Sequence, residues 1–96
     1  MALKVYPFDP ARHLETEDDI LVYLEVAMEG NDPAHIASAL GDVARSKGMS
    51  QIAREAKVGR QALYSSLSET GNPTLETLIG VLNALGLQLT VQKRAA

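Results

Sequence analysis

Cysteine is absent from this chain of 96 residues. That excludes a disulfide framework and any thiolate metal site, and it fits a reducing, cytoplasmic setting. Aromatic side chains are scarce, being only Tyr6, Phe8, Tyr23 and Tyr64, so aliphatic residues must fill the core. No segment approaches the roughly 20 consecutive apolar residues of a membrane span, and the opening MALKVYPFDP has no unbroken apolar run of the signal-peptide kind. The chain therefore reads as soluble and intracellular, with no membrane partner. Histidine is limited to His13 and His35 in separate segments, and no Ser, Cys or paired carboxylate is placed to converge on either. Each reads as a solvated surface residue. No Gly-rich phosphate loop follows a strand. The expectation is a binding protein, not an enzyme, with no catalytic residues, no metal and no cofactor.

A chain of this length suits one compact domain that buries about 60 to 65 per cent of its unfolded surface. Its net charge of -3 conceals a segregation along the sequence. From Asp9 to Asp32 the acids Asp9, Glu15, Glu17, Asp18, Asp19, Glu25, Glu29 and Asp32 face Arg12 alone, whereas from Arg45 to Glu69 the bases Arg45, Lys47, Arg54, Lys57 and Arg60 face only Glu55 and Glu69. The first block is acidic and the second carries a local positive field that attracts nucleic acid.

Helix signals divide the domain. Thr16, followed by Asp19 where a capping box needs its reciprocal partner, opens a helix over about 17–28 with Ile20, Leu24, Ala27 and Met28 on one face. Asp32 and Pro33 start a second helix, buried along Ile36, Leu40, Val43 and Ala44, and Gly48 stops it. Thr74 caps a later helix in which Leu75, Leu78, Ile79, Leu82 and Leu85 recur at threes and fours before Gly86. The division is residues 1–32 as acidic arm and first helix, 33–86 as helical bundle, and 87–92 as a C-terminal strand.

Between these lies the most informative stretch, MSQIAREAKVGRQALYSSLSETGNP from Met49 to Pro73. Ser50 can cap a short helix bearing Ile52, Ala53 and Ala56 on one face, the chain turns at Val58 and Gly59, and a second short helix points Leu63 and Leu67 inward. Small Ala53, Ala56 and Ala62 permit a steep crossing. This is the layout of a helix-turn-helix at 50–68. In that motif the second helix enters the major groove and the first crosses the phosphate backbone. Arg60 and Gln61 then stand where base edges are read, since an Arg fork matches guanine and a Gln amide matches adenine, each discriminating by about 1 to 3 kcal/mol. Tyr64 and Ser65 share the outer surface, and Gln51 and Arg54 face phosphates. The plainer account is that Arg60 and Gln61 merely solvate an exposed helix start.

Residues 87–92 alternate Leu, Gln, Leu, Thr, Val, Gln, the period of a half-buried strand. A lone strand needs a partner, either residues 3–8 of the same chain or the identical strand of a second copy. Leu87, Leu89 and Val91 are the expected dimerisation residues, and a two-fold dimer suits a palindromic DNA site.

The phrases ALGDVARSKGMSQIAREA and LYSSLSETGNPTLETLIGVLNALGLQL, preceded by FDPARHLETEDDILVYLEVAMEGNDP, resemble the antidote proteins of bacterial addiction modules that carry a phage-repressor-type (XRE) helix-turn-helix. The resemblance covers most of the chain. It implies a mainly α, five-helix, lambda-repressor-like domain with a short terminal β-strand pairing, forming a homodimer. It also implies the antitoxin of a type II toxin-antitoxin module, which neutralises a small basic RelE/ParE-like toxin by direct binding and represses its own operon. Carried over by position, Gln51, Arg54, Arg60, Gln61, Tyr64 and Ser65 face double-stranded operator DNA. For the toxin, the acidic leader Glu15, Glu17, Asp18 and Asp19 is the candidate surface, although the helix macrodipole alone favours acids in a first turn.

Departures from that family's pattern fall on the reading head. Lys57 stands where Gly commonly closes the first helix, Gly59 where Ser or Thr caps the second, Ser65 where a basic residue is usual, and neutral Gly80 and Asn83 where Lys or Arg often lies. The missing charges at Ser65, Gly80 and Asn83 weaken the expected phosphate attraction, which Lys57 replaces only in part, and the departures keep two alternatives in view. One is a stand-alone phage-type repressor; the other is a toxin-binding protein whose helix-turn-helix is only a scaffold.

Overall fold

The computed structural model describes residues 14–94; the strand expected at 3–8, and His13, lie outside them. Five helices follow in order, α1 (Glu17–Glu29), α2 (Pro33–Lys47), α3 (Met49–Ala56), α4 (Arg60–Ser66) and α5 (Leu75–Ala84). None among the described residues is long and apolar enough to cross a membrane.

Short-range chemistry sets most of the boundaries. At the start of α1 the Asp19 N–H donates to Thr16 Oγ1 at 3.0 Å and the Thr16 N–H donates to Asp19 Oδ2 at 3.1 Å, a complete capping box. Asp32 accepts the Ala34 N–H at 3.1 Å, with Pro33 in the first turn of α2. Gly48 ends α2 at φ 110°, a conformation that a side chain resists. Ser50 does not cap α3. That helix begins at Met49 with Gly48 in the cap position and no side-chain cap bond, so Ser50 already sits inside the first turn. Thr74 Oγ1 accepts the Thr77 N–H at 3.1 Å at the head of α5. At its end Gly86 adopts φ 75°, the Gly86 N–H donates to Asn83 O at 3.0 Å, and the Leu87 N–H donates to Leu82 O at 2.8 Å. Those two bonds make a Schellman stop that satisfies carbonyls the helix leaves unpaired.

Helix α3 is central, packing against α2, α4 and α5, and α2 in turn packs against α1. Leu40, Val43, Ile52, Leu63 and Val81 are fully enclosed, each burial favouring the fold by about 1.5 to 3 kcal/mol. Leu75 and Ile79, part of the apolar repeat of α5, remain exposed, while Val81 is fully enclosed.

Two glycines govern how closely the helices meet. A Cβ at Gly41 would lie 2.2 Å from the Leu67 carbonyl oxygen, so the end of α4 rests directly on the α2 backbone. A Cβ at Gly80 would lie 3.2 Å from Ala56 Cβ, which brings α3 and α5 into near contact. Gly80 is thus a packing position and not a lost phosphate contact. Ala62 is exposed and takes no part in the α3–α4 crossing; Ala53 is buried, and Ala56 faces Gly80 of α5.

Within residues 14–94 the expected terminal β-strand pairing does not form. Among the described residues there is no strand, and 87–94 have no regular structure. Leu87 folds back on the core through the Schellman stop, while Leu89 is half exposed and Val91 is 94 per cent exposed. Alternating polarity describes a surface that can pleat, but a ladder requires a neighbouring strand to supply donors and acceptors. No described segment supplies one.

Gly41→Ala should cost about 2 to 3 kcal/mol, because the added methyl meets backbone and not a side chain that can rotate away. Thermal melting followed by circular dichroism checks it, with Gly59→Ala as the control. Nothing lies within 4 Å of a Cβ at Gly59, so that variant should melt close to the wild-type temperature, the stiffer unfolded chain offsetting the poorer cap that Ala gives α4.

Candidate nucleic-acid interface

The corner between α3 and α4 is built at Lys57, Val58 and Gly59. Lys57 takes the left-handed conformation at φ 60°, ψ 43°, and its N–H donates to Arg54 O at 3.2 Å while the Val58 N–H donates to Ala53 O at 2.9 Å. Gly59 sits at φ -63°, ψ 143°, open to any residue. The turn's unusual backbone therefore falls on Lys57, where sequence reading assigns it to Gly59. A non-glycine residue held there costs about 1 to 2 kcal/mol, and the same residue projects a positive charge from the corner. Half-buried Val58 packs on the core and anchors the turn.

On α4, Leu63 points into the core, and Leu67 just beyond the helix joins it. At 100° per residue Gln61 and Ser65 lie opposite Leu63, with Arg60 and Tyr64 on the adjoining row. All four are exposed. The Arg60 guanidinium lies 5.7 Å from the centre of the Tyr64 ring, within cation–π range, so the ring restrains its orientation. Gln51 and Arg54 are exposed on α3. Gln51 is not free, since its Nε2 donates to Glu55 Oε2 at 3.1 Å. Arg54, Lys57 and Arg60 thus bring three bases to one corner, with Glu55 as the nearby acid.

The acidic leader lies elsewhere, at the head of α1. Glu15, Glu17, Asp18 and Asp19 are all exposed. The Thr16 and Glu15 N–H groups both donate to the Asp19 carboxylate and hold its pKa below the ordinary value. Asp19 is engaged in the helix cap, whereas Glu15, Glu17 and Asp18 carry no such bonds. Glu17, Asp18 and Leu21 share a shallow cleft with Lys47 and the end of α5 at Leu85 and Leu87. His35 is exposed on α2. Among the described residues no group of His, Cys, Asp and Glu is arranged to hold a metal ion.

One polar cluster escapes sequence reading. Asp42 is buried on α2, where Tyr23 Oη from α1 donates to its Oδ2 at 2.6 Å and Arg45 donates to Oδ1 as an ion pair. Burial, then the bond to Asp42, push the Tyr23 pKa up. Tyr23 and Asp42 lie nineteen residues apart, beyond any local pattern. The only hint was an acid inside an otherwise apolar helix face.

A family described as probable addiction module antidote protein matches residues 4–93. The chain belongs to this antidote family. A relative within reach is a Haemophilus influenzae protein described as uncharacterized, 46 per cent identical over 93 residues that cover 97 per cent of this chain and 96 per cent of the relative. No solved structure matches. The span matched to the antidote family takes in the acidic α1 as well as the α3–α4 corner.

The Tyr23 hydroxyl gives a pH signature. Its folded-state pKa is raised, so the stability it supplies is complete below the ordinary phenol value near 10 and is lost as the pH rises beyond it. Tyr23→Phe should be less stable than wild type by about 1 to 2 kcal/mol at neutral pH, and urea titrations should find that gap closing above about pH 10.

Proposed function

We propose that this chain is the antitoxin of a type II toxin-antitoxin module. It binds and neutralises a small basic toxin of the RelE/ParE-like superfamily, and as a homodimer it represses the operon that encodes both. Membership of the antidote family over residues 4–93 supports the first task. The observation that supports the second is the exposed row of Arg60, Gln61, Tyr64 and Ser65 on α4 beside Arg54 and Lys57. In this reading Arg60 and Gln61 address base edges in the major groove, Tyr64 holds Arg60 ready, and Gln51, Arg54 and Lys57 meet phosphates.

Two exposed apolar sets are available to a second copy: Leu89 and Val91 beyond α5, continuing from half-buried Leu87, and Leu75 with Ile79 on α5 itself. We assign the dimer contact to these side chains packing together. Association through them repeats the reading surface across a two-fold axis. The protein works inside the cell, where its operator and toxin are.

A second reading has one observation in its favour. The Gln51 amide is tied to Glu55 on the side of α3 that would meet phosphates, and a carboxylate there opposes DNA. In that reading the corner is a retained scaffold and toxin binding is the whole function.

Arg60→Ala separates the two. Fluorescence anisotropy with a duplex from the promoter upstream of the gene should register a loss of about 1 to 3 kcal/mol and a relaxed preference at one base pair, with the dimer intact by sedimentation. A titration identical to wild type across salt concentrations would favour the scaffold. For the toxin half, reversing the charges of Glu17 and Asp18 should weaken capture of the toxin encoded by the adjacent gene and leave promoter binding unchanged. Unaltered capture would remove these two residues from the contact.

A further inference from the structure

We propose that the outward face of α1, with Val22 and Val26 set among Asp18, Glu25 and Glu29, is a docking surface for a protein whose own contact patch is cationic around an apolar centre. This rests on the antitoxin reading, under which that protein is the toxin.

The helix geometry separates two faces. Ile20, Leu24 and Ala27 are buried against α2. At 100° per residue Asp18, Val22, Glu25 and Glu29 fall on the opposite side, with Val26 next to them. Val22 is 56 per cent exposed and Val26 61 per cent. Four residues apart on one side of a helix, they form a continuous apolar strip lined by carboxylates. α1 carries no Lys or Arg at all.

That face is poorly chosen for the stability of α1 itself. Glu25 and Glu29 are like charges at i and i+4, which repel. Glu29 ends the helix, where the macrodipole disfavours an anion. Exposed Val has lower helix propensity than Ala, Leu or Lys. Glu17 and Asp19 are explained by the first turn and the cap, but neither reason extends to Glu25 or Glu29. Several locally unfavourable residues gathered on one surface mark a place where a different requirement prevails.

Charge selects the occupant. A second copy meeting this face by two-fold symmetry would set carboxylates against carboxylates, which costs affinity. Nucleic acid is repelled for the same reason. The exposed pair Leu75 and Ile79 on α5 has only Glu76 beside it in the first turn, so self-association has a better surface. A cationic protein patch gains both from ion pairing at the rim and from covering Val22 and Val26, which is the anatomy of a stable interface.

The test uses the full chain and the purified toxin encoded by the adjacent gene, with affinity measured by calorimetry at several salt concentrations. Glu25→Lys with Glu29→Lys should weaken toxin binding by about tenfold or more and flatten its salt dependence. The same double variant should melt no lower than wild type, because it relieves the repulsion at the end of α1. Val22→Ser with Val26→Ser should weaken binding while leaving the salt dependence steep. Affinity within about twofold of wild type for both variants would overturn the proposal. So would a loss of affinity matched by a loss of melting temperature, or a change in self-association with toxin binding intact. If wild type fails to bind this toxin, the antitoxin reading falls and takes the docking face with it; if wild type binds and the variants bind equally, only the docking face falls.

Discussion

Helices approach one another only as closely as the atoms between their axes allow, and in this chain two missing methyl groups fix the approach that matters. Gly41 lets the Leu67 carbonyl rest on α2, and Gly80 lets Ala56 close against α5. Both contacts hold the α3–α4 hairpin from behind, one at each helix. Held there, the hairpin turns the corner at Lys57 and the row on α4 outward. Because backbone stands opposite each glycine, there is no side chain whose rotation could absorb a larger residue.

Charge is arranged to the same end. The acids of α1 and the bases of the corner lie on separate elements. A chain with net charge -3 thus carries most of its two signs on different helices.

Much of the helical framework was legible because it depends on residues close in sequence. Thr16 with Asp19, Asp32 with Pro33, and Gly86 each determine a helix end through atoms only a few positions away. The exposure of Arg60, Gln61, Tyr64 and Ser65 followed from the spacing of Leu63 and Leu67. What could not be read depends on remote parts of the chain. Gly41 and Gly80 look dispensable until the elements they face are known, and Asp42 looks solvated until Tyr23 arrives from another helix. The turn misled in a subtler way: glycine at 59 invites the left-handed assignment, yet the hydrogen bonds closing α3 impose it on Lys57. The terminal strand failed because alternation describes one side of a pairing and says nothing about whether the other side exists.

The bond from Tyr23 to Asp42 has a bearing on α1 that its energy understates. Aliphatic contacts such as Leu24 and Ala27 against α2 decide which face of α1 is buried, but they are not directional. A phenol donating to a carboxylate that Arg45 pins in place is directional. It acts as a detent, holding α1 at one angular setting within the range its buried stripe allows.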